Sequence, residues 1–160
     1  MRGGESRFNR RAAVGSGGAV EIPLVFAQAE LAWQADMMMN DSQTTVAALK
    51  QAMNDFVAAR QWHKFHRVDH LAKAVSVEAA ELLELFLWLS PAEVDEAMAD
   101  AAFRQAVSDE LADVITFLLS LANAANIDIA TAVREKMARN AAKYPAEKYQ
   151  GVYRRPLKQE

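Results

Sequence analysis

Two pairs of carboxylate side chains share one spacing and are the residues of this sequence most able to do chemistry. Glu78 and Glu81 form the first pair, and Glu110 and Asp113 form the second after 28 intervening residues. Because a helix turns by about 100° per residue, side chains at positions i and i+3 project from one face. Both pairs lie within strongly apolar segments, where a carboxylate is costly unless a cation neutralises it. The spacing therefore predicts a divalent metal site between two helices.

The donor set of this predicted site indicates which metal it would hold. All four side chains are carboxylates, and no histidine occupies either i+3 position. All-oxygen ligation favours Mg²⁺, with Mn²⁺ able to replace it, over iron or zinc. Mg²⁺ with open coordination positions binds polyphosphates and activates water, so we expect attack by water on a phosphorus atom. A single pair of this kind is typical of a solvated helix face, so the interpretation depends on both pairs occurring together.

The elements that must position these pairs are predicted to be helices. Apolar residues recur at spacings of three and four from Ser42 onward, and no strand alternation is present. This pattern predicts an all-α fold, a bundle of four or five helices. Ser90 and Asp128 are predicted N-terminal caps, and Pro145 is predicted to end the last helix. The predicted helices span about Thr44–Arg60, Asp69–Leu89, Pro91–Met98, Ala102–Ala125 and 128–143.

The composition excludes several classes of protein. The 160 residues suit one domain with a core, and a formal net charge of −3 argues against a general nucleic-acid-binding protein. No uncharged apolar run reaches about 18 residues, so we expect no membrane-spanning helix. The absence of cysteine excludes disulfides and cysteine catalysis. It also fits a reducing compartment, and we expect a cytoplasmic location.

The chain divides by composition into three parts. Residues 1–43 are predicted to be a disordered N-terminal extension, residues 44–148 the folded domain, and residues 149–160 a flexible C-terminal tail. Within the domain, residues 114–122 (VITFLLSLA) are apolar almost all round the helix, which is typical of burial on several sides. We therefore expect the domain to assemble into a homodimer or a homotetramer.

Basic residues near the end of the last predicted helix are candidate contacts for phosphate groups. Lys136, Asn140 and Lys143 fall on one helix face, and Tyr144 follows directly. Together these side chains could hold the oxygens of a phosphorylated ligand. The alternative is a solvated helix end whose basic residues the helix dipole favours.

Aromatic residues supply candidate contacts for a base. Trp62, Phe65 and His66 lie in a predicted loop and could stack on a base or hydrogen-bond its edge. Trp88 closes the second predicted helix and could add a further flat wall. The alternative is that the tryptophans pack in a core or an interface, and that His66 is an ordinary loop histidine.

At these residues the chain resembles the MazG-like nucleotide pyrophosphohydrolases of the all-α NTP pyrophosphatase superfamily. The signature of that family is E-x-x-E, a spacer and E-x-x-D, which here are the two carboxylate pairs. The chain is most similar to the dCTP pyrophosphatase type, and the match spans roughly residues 45–148. Three further motifs of that type, W-x-x-F-H, E-L-x-E-L-F-x-W and K-M-x-x-N-x-x-[KR]-Y-P, correspond to Trp62–His66, Glu81–Trp88 and Lys136–Pro145.

The resemblance implies a fold, an activity and a set of residue roles. It implies a MazG-like helical bundle that assembles as a dimer or tetramer and uses Mg²⁺ to hydrolyse nucleoside triphosphates to the monophosphate and pyrophosphate. The expected substrate is dCTP or a modified pyrimidine deoxynucleotide, in nucleotide-pool house-cleaning. Glu78, Glu81, Glu110 and Asp113 are expected to be catalytic metal ligands. The expected substrate-binding residues are Trp62, Phe65, His66, Trp88 and Phe117, with Asn140, Lys143 and Tyr144 at the triphosphate.

Two positions depart from the family pattern. Many members carry a glutamate where this chain has Val77, and the dCTP-specific branch commonly carries a tyrosine where this chain has Phe117. The lost hydroxyl leaves base and sugar selectivity open, so dUTP and phosphoribosyl-ATP remain alternative substrates. A non-catalytic helical oligomer that binds nucleotides is the alternative from a different class of protein.

Overall fold

The regular elements of this protein are helical throughout the part that the computed structural model describes, residues 39–151. The all-α prediction is therefore confirmed for this part. Most of the predicted N-terminal extension and of the predicted tail lies outside it. The α-helices are α1 Val46–Ala59, α2 Val68–Glu84, α3 Pro91–Ala99, α4 Ala101–Ala124, α5 Ile129–Lys143 and α6 Ala146–Tyr149, with a 3-10 helix, Trp62–Phe65, between α1 and α2.

Short polar side chains fix the starts of the helices. The Thr45 hydroxyl accepts a hydrogen bond from the amide of Ala48 at 3.1 Å, which caps α1. The amide of Ser90 donates to the Glu93 carboxylate at 2.8 Å, and the Ser90 side chain accepts from the amide of Glu93, which forms a capping box. Asp128 accepts from the amide of Thr131 at 2.7 Å. The caps predicted at Ser90 and Asp128 are confirmed.

The end of α2 differs from the prediction. The helix was predicted to reach Leu89, but α-helical winding stops at Glu84, and residues 85–88 form turns. Three amides in this stretch donate to the carbonyl three residues back, at 3.1–3.3 Å, which is tighter winding than in an α-helix. Ser90 is extended, with ψ of 161°, because it precedes Pro91 and caps α3. The chain must therefore leave the helix before Ser90, although the apolar pattern continues.

The segment between α1 and α2 is more regular than the predicted loop. Gln61 has a φ of 54°, in the left-handed region, and stops the winding of α1. Trp62–Phe65 then forms one 3-10 turn. A helix of four residues is too short to show a periodic pattern, so the sequence could not distinguish it from a loop.

The central element of the bundle is α4, which packs against α1, α2 and α3. Polar contacts tie the end of α4 to α1: the Asn123 amide group donates to the Lys50 carbonyl, and the Lys50 ammonium donates to the Ile127 carbonyl, both at 2.8 Å. The buried apolar side chains of the described part are few and mostly small. They are Ala52, Val57, Leu71, Leu119 and Ala122.

Helix α5 turns away from this bundle. It is bent by 102° from α4, and every residue from Ala130 to Tyr144 is exposed. In the described part of the chain, no single helix is long and apolar enough to cross a membrane; only α4 and α5 taken together, despite their bend, meet that requirement of length and composition.

Candidate functional site

The two predicted carboxylate pairs lie on the facing surfaces of α2 and α4. Oxygen atoms of Glu78, Glu110 and Asp113 all lie within 4.8 Å of one another. Glu78 is only 9% exposed, Glu110 is half-buried and Asp113 is exposed. The cluster therefore has a covered side on α2 and an open side on α4, from which a ligand can approach.

The fourth carboxylate, Glu81, is outside this group of three oxygens but close enough to act on it. Its charge raises the pKa of both Glu78 and Glu110. Glu81 is half-buried one helical turn after Glu78. The structure thus brings three of the predicted ligands together and places the fourth beside them.

Burial and mutual repulsion of the carboxylates favour the binding of a cation at the cluster. Burial raises the pKa of Glu78 above its ordinary value, and the three neighbouring carboxylates raise it further. Burial likewise raises the pKa of Glu110, and repulsion from Glu81 is the next cause. Within residues 39–151, none of the ion pairs involves these carboxylates. An all-oxygen cluster that has no ion-pair partner in the described part of the chain fits a hard divalent cation such as Mg²⁺.

The loop residues predicted to contact a base lie around the 3-10 helix. Trp62 packs edge-on against Phe56, with ring centroids 6.0 Å apart. Phe65 is 57% exposed. His66 lines a pocket of about 260 Å³, and burial lowers its pKa, with a further contribution from His63. Burial therefore favours the neutral form of the His66 imidazole.

The other predicted substrate contacts are spread over the molecule. Phe117 lies one turn after Asp113 on α4 and is half-buried. Trp88 is 88% exposed in the turn after α2. Asn140 and Lys143 lie on the exposed helix α5, and within the described chain neither makes a hydrogen bond or an ion pair with the carboxylates.

Tyr144 follows α5 and packs beside it. The Lys143 ammonium lies 5.1 Å from the centroid of the Tyr144 ring, which meets the Tyr149 ring edge-on at 5.2 Å. One chain therefore brings the carboxylates together but leaves the predicted triphosphate contacts on a separate, outward-facing helix.

Comparison with known proteins identifies the family. The sequence model of the MazG-like family matches residues 73–155, which is just over half of the 160 residues and includes all four carboxylates. The chain belongs to the MazG-like family.

Two mammalian enzymes are among the relatives of this MazG-like chain. It is 34% identical to dCTP pyrophosphatase 1 of Rattus norvegicus over 109 residues, which are 68% of this chain and 64% of that protein. It is also 34% identical to dCTP pyrophosphatase 1 of Homo sapiens over 104 residues, 65% of this chain and 61% of that protein. The chain thus spans a little under two thirds of the length of these curated relatives.

A solved structure supports the same relationship. A pyrophosphatase from Archaeoglobus fulgidus is 35% identical to this MazG-like chain and superposes with a TM-score of 0.60. The superposition covers 67% of this chain and 98% of that one. The described helices therefore account for nearly all of the fold of that relative.

The sequence did not predict the polar lining of the 260 Å³ pocket beside His66 in this MazG-like chain. Asn54 of α1 and Ser120 of α4 line it together with His63 and His66. The only sequence signal was position: Ser120 follows Asp113 by seven residues, which returns it to the same helix face. An isolated serine in an apolar helix gave no reason to look there.

Proposed function

We propose that this MazG-like protein is an Mg²⁺-dependent nucleoside triphosphate pyrophosphohydrolase. The proposed substrate is dCTP or a modified pyrimidine deoxynucleotide, cleaved between the α and β phosphates to the monophosphate and pyrophosphate. The observation that carries the proposal is the cluster of Glu78, Glu110 and Asp113, whose oxygens lie within 4.8 Å of one another. The names of the relatives, dCTP pyrophosphatase 1 and pyrophosphatase, support the bond and the substrate class.

The carboxylates have two tasks in this proposal. Glu78, Glu110 and Asp113 would hold Mg²⁺, which supplies Lewis-acid polarisation of phosphoryl oxygens and a bridge between two negative partners. Glu81 is outside the group of three oxygens yet near Glu78 and Glu110, so it is the candidate to accept the proton of the attacking water. A general base must reach that water without being fully engaged by the metal, and the placement of Glu81 beside the three grouped carboxylates supports this role.

The substrate contacts are divided between two regions. Trp62, Phe65 and His66 flank the pocket side, and Phe117 lies between that pocket and the carboxylates on α4. Trp88 adds an exposed aromatic surface at the far end of α2. Asn140, Lys143 and Tyr144 carry the donors and the positive charge that a triphosphate needs.

We further propose that the active protein is a homodimer or homotetramer. Apolar side chains are exposed on α2, α4 and α5 together, among them Leu83, Leu111, Ile115, Val133 and Met137. A helix with no covered face, such as α5, is poorly stabilised by its own propensity and requires packing. A second copy would supply that packing and could bring the α5 donors to a neighbouring carboxylate cluster. Size-exclusion chromatography with light scattering tests this, and a strictly monomeric active enzyme would refute it.

The activity is tested by incubating the protein with a panel of ribo- and deoxynucleoside triphosphates, phosphoribosyl-ATP and Mg²⁺. Release of monophosphate and pyrophosphate is expected, with dCTP or a modified pyrimidine among the best substrates. Orthophosphate release would show that another bond is cut. Preference for dUTP or phosphoribosyl-ATP would change the substrate but keep the chemistry.

A single substitution tests the carboxylate cluster itself. Glu110→Gln is expected to abolish turnover while circular dichroism remains helical, because the substitution removes one charged ligand and little volume. Normal turnover in Glu110→Gln would refute the cluster as the catalytic centre. If the wild-type protein binds nucleotides but forms no product, it is a nucleotide-binding protein rather than an enzyme.

A further inference from the structure

Ser120 has an unusual environment for a helical serine. It is 5% exposed, and its hydroxyl is the one buried side-chain polar atom within residues 39–151 that has no hydrogen-bond partner. Serine and threonine inside helices commonly donate to a carbonyl of the preceding turn. Ser76 does so, to Ala72 at 3.1 Å, and Thr116 donates to the Asp113 carbonyl at 3.0 Å. A buried unpaired hydroxyl lowers stability, so its presence points to a partner from outside the chain.

The Ser120 pocket, as we call the cavity that Ser120 lines with Asn54 and His66, has the properties of a site for one flat polar ring. Its volume is about 260 Å³, just below the range of about 300–1,000 Å³ typical of pockets for larger ligands. Met53 and Val57 give it an apolar wall. Among the described residues, no lysine or arginine lines it, so it is better suited to an uncharged ring than to phosphate.

The hydrogen-bonding groups of the Ser120 pocket include both donors and acceptors. The Asn54 amide and the Ser120 hydroxyl can each donate and accept. The half-buried imidazole of His66 offers one donor or one acceptor to the same space. Rotation of Ser120 between staggered χ1 positions can turn its hydroxyl toward the pocket. A pyrimidine ring, with alternating donors and acceptors on its edge, matches these groups.

The position of the pocket relative to the carboxylates fits one bound nucleotide. Ser120 follows Asp113 by seven residues on α4, so both lie within about 20° of the same face, roughly 10 Å apart along the axis. Phe117 lies between them on that face. Phosphates at the carboxylates would therefore leave the sugar beside Phe117 and the base at the pocket.

We propose that the Ser120 pocket receives the nucleobase and that Ser120 is a specificity-determining residue whose hydroxyl hydrogen-bonds the polar edge of the ring. This inference rests on the proposed function. A base that offers no matching group leaves the buried hydroxyl unpaired, and sites of this kind discriminate more strongly than apolar pockets. Ser120 thus supplies a polar contact at the base end of a site in which Phe117 has no hydroxyl to offer.

The test compares Ser120→Ala with Ser76→Ala, a serine that donates within α2 and lies outside the pocket. Binding of dCMP is measured by calorimetry, and KM and kcat are measured for dCTP, dUTP and dTTP. Ser120→Ala is expected to weaken dCMP binding and to raise KM for the preferred nucleotide by about three- to tenfold, the loss of one neutral hydrogen bond. Ser120→Ala should leave kcat and the Mg²⁺ concentration required for half-maximal activity unchanged. The KM values for dCTP, dUTP and dTTP should become more similar to one another. Ser76→Ala should match the wild-type protein.

The outcomes separate this proposal from the proposed function. Both variants binding and turning over like the wild-type protein would overturn the role of Ser120 while leaving the activity standing. Binding of dCMP that depends on Ser120 in a protein that hydrolyses no triphosphate would keep the pocket and refute the activity. A wild-type protein that binds neither dCMP nor any triphosphate would overturn both. Ala favours the helix, so the melting temperature of Ser120→Ala should equal or exceed that of the wild-type protein and confirm folding.

Discussion

Removing the charge of Glu78 should stabilise the metal-free protein while destroying its activity. The oxygens of Glu78, Glu110 and Asp113 lie within 4.8 Å of one another, and no ion pair formed among residues 39–151 involves them. Two like charges at that separation repel by about 0.9 kcal/mol in water and about 3.5 kcal/mol at an effective dielectric constant of 20. Because Asp113 is exposed to solvent, the repulsion lies nearer the weaker value. We therefore expect Glu78→Gln to raise the free energy of unfolding of the metal-free protein by about 1–2 kcal/mol.

The measurement is urea unfolding of wild-type protein and Glu78→Gln in EDTA at pH 7.5 and low salt, repeated with excess Mg²⁺. In EDTA the variant should be the more stable protein. With Mg²⁺ the order should reverse, because the wild-type cluster gains binding energy from the metal that the variant has lost. Glu96→Gln, the same substitution at an exposed position of α3, should change neither result. Turnover should be lost only in Glu78→Gln.

The same comparison has a defined pH dependence. The folded-state pKa of Glu78 is raised, so its contribution to stability is present below the ordinary carboxyl pKa and is lost as pH rises through the raised value. In EDTA the advantage of Glu78→Gln should therefore shrink as the pH is lowered from 7.5 toward about 5. A variant that is less stable than wild type in EDTA at pH 7.5, or a stability difference independent of pH, would refute the electrostatic account of the cluster.

Two further predictions follow from named contacts. If Glu81 accepts the proton rather than holding the metal, Glu81→Gln should lower kcat at least ~tenfold. The Mg²⁺ concentration required for half-maximal activity should stay near the wild-type value. A large rise in that concentration would instead identify Glu81 as a metal ligand. Asp100→Ala should cost about 1 kcal/mol in urea unfolding, because the Asp100 carboxylate accepts the Phe103 amide at 2.9 Å and caps α4. Asp95→Ala, on the exposed side of α3, is the matched control, and equal losses in both variants would contradict the capping role.

Local signals in the sequence were sufficient to predict three of the helix boundaries. The Ser90 capping box, the Asp128 cap and the stop before Pro145 each depend on a few neighbouring residues, and all three are found in the structure. The end of α2 was predicted wrongly because the apolar pattern continues beyond Glu84, whereas the backbone must already tighten to reach the extended Ser90. Periodicity reports which side chains are buried, and it does not report how the backbone winds under them.

The carboxylate cluster and the Ser120 pocket differ in how far the sequence could predict them. The two acidic pairs have a fixed spacing, so helix geometry alone places Glu78 and Glu81 on one face and Glu110 and Asp113 on another. The separation of Glu81 from the three grouped oxygens depends on how α2 and α4 pack, which no spacing specifies. The missing partner of Ser120 is a property of the packed structure, because the sequence does not show which helical serine lacks a hydrogen-bond partner.

The exposure of helix α5 bears on how the predicted triphosphate contacts reach the carboxylate cluster. The sequence motif Lys136–Pro145 contains Asn140, Lys143 and Tyr144. In one chain these residues lie on, or directly after, a helix that is exposed from Ala130 onward. A movement of α5, or a second copy that presents its own α5, would bring their donors to a ligand at Glu110. Hinge motion about Asn126, whose φ is 52°, would have to break the Lys50 contact with Ile127. The proposed assembly would require no such change and would also cover the exposed Val133 and Met137, so it is the simpler route to a complete site. A mixture of two inactive variants, Glu110→Gln and Lys143→Ala, should then recover activity, because some mixed oligomers pair an intact cluster with an intact α5; no recovery despite mixed assembly would place both groups within one chain.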